Sequence, residues 1–212
     1  MRFWIHYKMA RLINKQVADS GVVIDGLFFI MGNLAPDMTF SYVFRRHTRE
    51  MSLPHLEKQI KFLYKEGVDP CSAAFAWRLG VMSHYVCDYL CYPHTQAYTK
   101  GAAGHFVHEV KQTVQASDML PFDKKKSKGL NAARFSAALE RHIERQERLL
   151  LQNGGQNYAE VSIAMYVAVW ASCGAYLHAL QESADRYQIR LKPRRRITVS
   201  MRSETFLYQY IK

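Results

Sequence analysis

The chain has 212 residues, 49% hydrophobic and 22% charged, a balance that excludes a disordered polymer and supplies apolar surface for one domain with a sizeable core. Its net charge of +11 and pI near 9.6 favour anionic partners: phospholipid surfaces, nucleic acid or phosphorylated substrates. The longest apolar run, GVVIDGLFFIMGNLA, is interrupted by Asp25 and Asn33 and is too short to span a bilayer. MRFWIHYKMARLINKQ lacks the apolar centre of a signal peptide, so the expected location is the cytoplasm.

In chain order the pattern is helical nearly throughout. Residues 5–18 are expected as an amphipathic helix with His6, Met9, Ala10, Ile13 and Val17 on one stripe. A more buried segment runs from Val22 to about Gly32, where NLAPD should break it, because a proline disfavours helix at the residue before it. Ser52 and Pro54 read as the cap and first turn of a helix carried to a stop at Gly67. VDPCSAAFAWRLGVMSHYVCDYLCY reads as one long buried helix ended by Pro93, and GAAG precedes another from about His105. The basic stretch at 118–129 leads to the amphipathic NAARFSAALERHIERQERLLLQN, stopped by Gly154 and Gly155. YAEVSIAMYVAVWASCGAYLHALQESADRY is the last long helix and is placed centrally, and in the basic tail 190–212 the run RITVSMRSETFLYQYIK reads as a strand or as ending in a short helix. The expected architecture is all-α: one domain over 1–212, with its chemistry in residues 1–115.

That chemistry sits in SHYVCDYLCYPH, residues 83–94. Side chains at i and i+4 share a helix face, so His84 and Asp88 point the same way, and so do His105 and Glu109 in GHFVHEV. Two helices that each offer an imidazole and a carboxylate can converge nitrogen and oxygen donors on one point, the donor set zinc takes in sites with a vacant position for water. His94 lies just beyond the first pair, and His6 is on the inward stripe of the first helix. Asp37 follows a proline in what reads as a sharp turn, and His47 comes ten residues later.

A single His–Asp pair is more often a charge-assisted hydrogen bond than a metal site. Two such pairs, three further imidazoles and a turn aspartate shift that balance, since burying so many ionisable groups without a cation costs several kcal/mol for each unpaired charge. Cys71, Cys87, Cys91 and Cys173 read as reduced, buried residues; Cys87 and Cys91 have no second cysteine pair to complete a thiolate site.

The set HYKMARL, GNLAPD, RRH, SHYVCDYLCYPH and HFVHE resembles the zinc-dependent phospholipase C family, whose fold is shared with fungal single-strand nucleases. The family pattern is an N-terminal His, a turn Asp, a His, a His-x3-Asp-x5-His block and a His-x3-Glu. Here His84, Asp88 and His94 match the block without a gap, and His105 and Glu109 match the last element. Asp37, His47 and His6 take the remaining positions, with His55 the alternative to His47; His108, His142 and His178 have no counterpart and read as surface or core residues.

The resemblance implies two zinc ions, one held by Asp37, His47, His84 and Asp88, the other by His94, His105 and Glu109. A third, at His6 and a bridging Asp88, is completed in exported family members by the amine and carbonyl of an N-terminal tryptophan; here Trp4 is internal. The implied reaction is hydrolysis of a phosphate ester, foremost of phospholipid to diacylglycerol and a phosphorylated head group, with Asp37 orienting the water or taking its proton. The basic surface would hold the protein peripherally at anionic membrane, whereas DKKKSK at 123–128 and KPRRR at 192–196 each read, taken alone, as solvated loops. A nuclease on the same scaffold needs aromatic platforms such as Tyr85, Tyr89, Tyr92 and Phe106 to stack bases. A non-enzymatic zinc-binding protein is the third reading.

Overall fold

The inward stripe of the first helix is the one its spacing requires: in α1 (Phe3–Asp19), His6, Met9, Ala10, Ile13 and Val17 are buried together with Ile5. The structure is a computed structural model that describes residues 3–19, 21–38, 49–95, 98–115, 132–152 and 160–186. After α1, Gly21 takes φ +84°, where a side chain would be strained. Its N–H donates to the Ala18 carbonyl at 2.9 Å and that of Val22 to the Val17 carbonyl at 3.2 Å, a Schellman closure that turns the chain back.

The second helix corrects the expectation of a break at NLAPD. α2 (Gly26–Met38) starts later, at a cap in which Asp25 Oδ1 accepts the N–H groups of Leu27 and Phe28, both at 3.1 Å, and it runs through Pro36. A proline near the end of a helix sacrifices one backbone bond while its own φ remains helical. One turn before Pro36 the helix meets the one behind it backbone to backbone, at Gly32 and Gly80. A Cβ on Gly32 would lie 2.1 Å from the Trp77 carbonyl oxygen, and one on Gly80 2.1 Å from that of Phe29. Asp37 therefore belongs to the final turn of α2 and does not follow a sharp turn.

α3 (Arg49–Leu63) also begins before its expected start. Ser52 is a buried interior residue, not a cap, and its hydroxyl bonds the Tyr89 hydroxyl at 2.8 Å. α4 (Ala73–Tyr89) is shorter than expected. Asp69 Oδ1 accepts the Cys71 N–H in the turn before it, Ser72 caps it by accepting the Phe75 N–H at 3.1 Å, and it ends before Leu90. Pro93 lies in a separate 3₁₀ turn, Tyr92–His94. Ser72→Ala removes that cap and is expected to cost about 1 kcal/mol, read from the midpoint of urea unfolding.

α5 (Gly101–Gln115) starts a full turn before His105, at Gly101 with φ +63°. α6 (Ala132–Gln152) and α7 (Glu160–Arg186) lie close to their expected limits. The described residues contain no strand, and the fold is all-α. α4 is the hub, packed on α1, α2, α3 and α7. From Leu79 to Tyr89 each of its residues is buried, which is why its sequence shows no polar stripe. The basic stretch 118–129 lies outside the described residues, as do the tail 190–212 and His47.

Candidate metal centre

α4 carries His84 and Asp88 one turn apart into the core, both with no exposed side-chain surface. His6 reaches them from α1, Asp37 from the end of α2, and His94 from the 3₁₀ turn. Three imidazoles converge on the buried carboxylate of Asp88. His6 Nε2 lies 3.1 Å from Asp88 Oδ1, His84 Nε2 3.2 Å from Asp88 Oδ2, and His94 Nε2 3.5 Å from Asp88 Oδ1. The His6 and His84 rings stack at 3.9 Å between centroids, 23° from parallel. The His105 ring stands edge-on to His94 at 5.1 Å.

The tautomer of His84 follows from its other nitrogen. Nδ1 is 2.8 Å from the Asn33 carbonyl oxygen, and a carbonyl only accepts, so Nδ1 carries the hydrogen. In the neutral ring the Nε2 lone pair then faces Asp88 Oδ2 at 3.2 Å and Asp37 Oδ1 at 3.9 Å. Lone pair against carboxylate is repulsive unless a proton or a cation stands between them. A ligating histidine is ordinarily fixed in this way, one nitrogen to a backbone carbonyl and the other to the ion.

His6 points to the same need. Burial, and then the neighbouring His84, push its pKa down from 6.5 to about 4, so it is neutral at neutral pH. Its Nδ1 is buried with no hydrogen-bond partner among the described residues. Burial by itself would push the Asp88 carboxyl up, but His94, and after it His6 and His84, hold it well below the usual carboxylate range. Donor atoms of His6, Asp37 and His84 lie within 4.8 Å of one another, a set that could hold a metal ion. Asp37 is the partly open member, with 17% of its side chain exposed. The residues present fit a divalent cation that takes nitrogen and oxygen ligands.

Asn33 escaped the sequence reading, which treated it only as a break in an apolar run. With its amide oriented to satisfy both ends, it donates to the His6 carbonyl and accepts from the His84 backbone N–H, each at 3.3 Å. It thus ties α1, α2 and α4 together at the site. Asn33 is fully buried, one helical turn before Asp37.

His55, on α3, is not part of the His6–Asp37–His84 group. Glu109 follows His105 by one turn of α5, and its side chain lies outside the described residues. Cys87 and Cys91 are buried, and burial pushes the Cys87 thiol well up, which suits a packing role. Cys71 is exposed, contrary to expectation, because it lies in the turn before α4.

The depressed histidine sets an acid limit on the ion-free fold. His6 has a folded pKa of about 4 against 6.5, so the unfolded chain takes up the proton first and stability falls as the pH drops through that interval. Asp88 adds a further loss below the ordinary carboxylate pKa of 3.8. Chelator-treated protein is expected to show a melting temperature that declines as the pH falls from above 6.5 towards 4. The decline should be shallower in His6→Gln.

A family model described as zinc dependent phospholipase C matches residues 5–156, a span that includes all eight expected ligand positions, and that family is zinc-dependent. No curated protein and no solved structure is significantly similar to the chain.

Proposed function

Because this chain belongs to the zinc-dependent phospholipase C family, we propose that it hydrolyses phospholipid to diacylglycerol and a phosphorylated head group. The observation that carries this reading is the convergence of His6, His84 and His94 on the buried Asp88, with Asp37 at the partly open edge. Asp37, His84 and Asp88, with His47, would hold one zinc ion, and His94, His105 and Glu109 a second. His6 lies close enough to Asp37 and His84 to join the first set. Bound zinc supplies Lewis acidity and a water acidic enough to react at neutral pH.

The chain's own groups do the rest. Asn33 fixes the His84 ring through its carbonyl and keeps the lone pair of Nε2 directed into the site. Asp88 stays ionised at neutral pH and compensates the positive charge gathered there. Asp37 orients the attacking water and accepts its proton. The water oxygen bonds phosphorus, the bond from phosphorus to the glycerol oxygen breaks, and that oxygen takes up a proton as diacylglycerol leaves.

The aromatic platforms a nuclease would need weaken that alternative. Tyr85, Tyr89 and Tyr92 are buried, and of the four aromatic candidates only Phe106 is exposed. The deciding experiment offers purified protein short-chain phosphatidylcholine and single-stranded DNA in parallel. The expected result is zinc-dependent release of phosphocholine, lost on chelation and regained with zinc. Asp37→Asn should lower that rate by about 10²–10⁴-fold while circular dichroism shows an unchanged fold. Cleavage of DNA alone would overturn the phospholipase reading, and full activity of Asp37→Asn would overturn the role given to Asp37.

A further inference from the structure

We propose that the outer faces of α1 and α2 form a docking surface for an anionic phospholipid bilayer; this deepens the reading above and rests on it for the substrate that the surface would deliver. α2 turns Leu27, Met31 and Met38 outward at one helical register, with Val23 just before it, and these side chains are between 45% and 69% exposed. Apolar side chains gathered on one face mark an interaction surface, whereas scattered ones do not.

The neighbouring helix supplies the complementary charge. α1 lies antiparallel beside α2, as two contacts show: the Asn14 side chain sits against Gly26, and Asn33 reaches the His6 carbonyl. Lys8, Arg11 and Lys15 are exposed along α1. Arg11 lies over the Tyr7 ring, and Lys15 pairs with Asp19 in an exposed i,i+4 bridge that competes weakly with phosphate. The acids Asp19 and Asp25 belong to the end remote from the metal centre, and Asp25 is engaged in capping.

At the near end Trp4, 66% exposed, meets Phe3 and Tyr7 edge-on, an aromatic group of the kind that settles at head-group depth. An apolar face bordered by basic residues and anchored by tryptophan is the composition of a helix that lies in a lipid interface. No described helix is long and apolar enough to cross a membrane, which agrees with a surface position. Met38 adjoins Asp37, so a bilayer seated here would bring phospholipid head groups to the partly open edge of the metal centre.

The test uses the full chain, sedimented with vesicles of equimolar phosphatidylcholine and phosphatidylserine and with vesicles of phosphatidylcholine alone. Wild type should bind the mixed vesicles more tightly, lose that binding as salt is raised, and show a blue shift of Trp4 fluorescence that is missing in Trp4→Phe. Leu27→Asp/Met31→Asp should weaken binding by about tenfold or more. It should still hydrolyse monomeric short-chain phosphatidylcholine within about twofold of wild type.

Equal vesicle binding by variant and wild type would overturn the docking surface. So would a wild type that ignores vesicles while cleaving the monomeric ester, and that result would leave the proposed reaction standing. A wild type that dimerises through this face, with the double variant monomeric, would assign the face to a second copy and likewise overturn the proposal. Vesicle binding without hydrolysis of any phospholipid would count against the reaction and leave the docking surface standing.

Discussion

Asp88→Asn is expected to abolish metal-dependent hydrolysis, lowering kcat/KM by about a thousandfold or more, which corresponds to a barrier about 4 kcal/mol higher. Three imidazole nitrogens lie within 3.5 Å of this carboxylate, which is itself fully buried. The amide that replaces it carries no charge, and one of its two ends is an N–H₂ group. That end would face an imidazole lone pair, or compete with the cation for it. Zinc content measured by native mass spectrometry should fall together with activity. The metal-free variant should stay folded, because the substitution removes a buried charge while keeping the volume. Full zinc stoichiometry and undiminished turnover in Asp88→Asn would refute the central role given to this carboxylate.

The second large effect is structural. Gly32→Ala and Gly80→Ala are each expected to destabilise the protein by about 3 kcal/mol or more, near the upper end of overpacking costs. A methyl at either position would sit 2.1 Å from a backbone carbonyl oxygen, and backbone cannot step aside as the end of a side chain can. The only relief is to part α2 from α4, which carries Asn33 and Asp37 away from His84. Zinc affinity should therefore fall with stability, although neither glycine has a side chain to offer the ion. Gly174→Ala is the control: among the described residues its new methyl would meet only the Tyr64 hydroxyl at 3.9 Å, an ordinary contact, and helix propensity favours alanine there by about 1 kcal/mol. Urea unfolding of the three variants separates these cases.

The legibility of this protein varied with the kind of signal. Amphipathic periodicity identified the buried stripe of α1 and the limits of α6, because those helices have one wet face, whereas α7 is buried along most of its described length and was legible as a long apolar run. α4 was legible as a buried helix although burial all round removes its stripe, and only its ends were misjudged; at α2 the end was misplaced, because a proline near the end of a helix keeps a helical φ. The His84–Asp88 pairing needed only a spacing of four residues. The meeting of His6 with that pair, 82 positions away, could be expected from the inward stripe and the family pattern but not from spacing. Asn33 was opaque because its part is played through a backbone carbonyl and an amide, which no side-chain motif registers.

Because the proposed ligands come from α1, α2, α4 and the turn after it, no contiguous piece of the chain would own the centre. Assembly of the pocket and completion of the tertiary structure are thus a single event, and an ion that binds only the assembled form acts as a thermodynamic rivet. Free zinc at a hundred times its dissociation constant would add about 2.7 kcal/mol to the unfolding free energy. The melting temperature then serves as a gauge of loading, and clipping away the first twenty residues would remove an imidazole of the site, His6, as well as a helix.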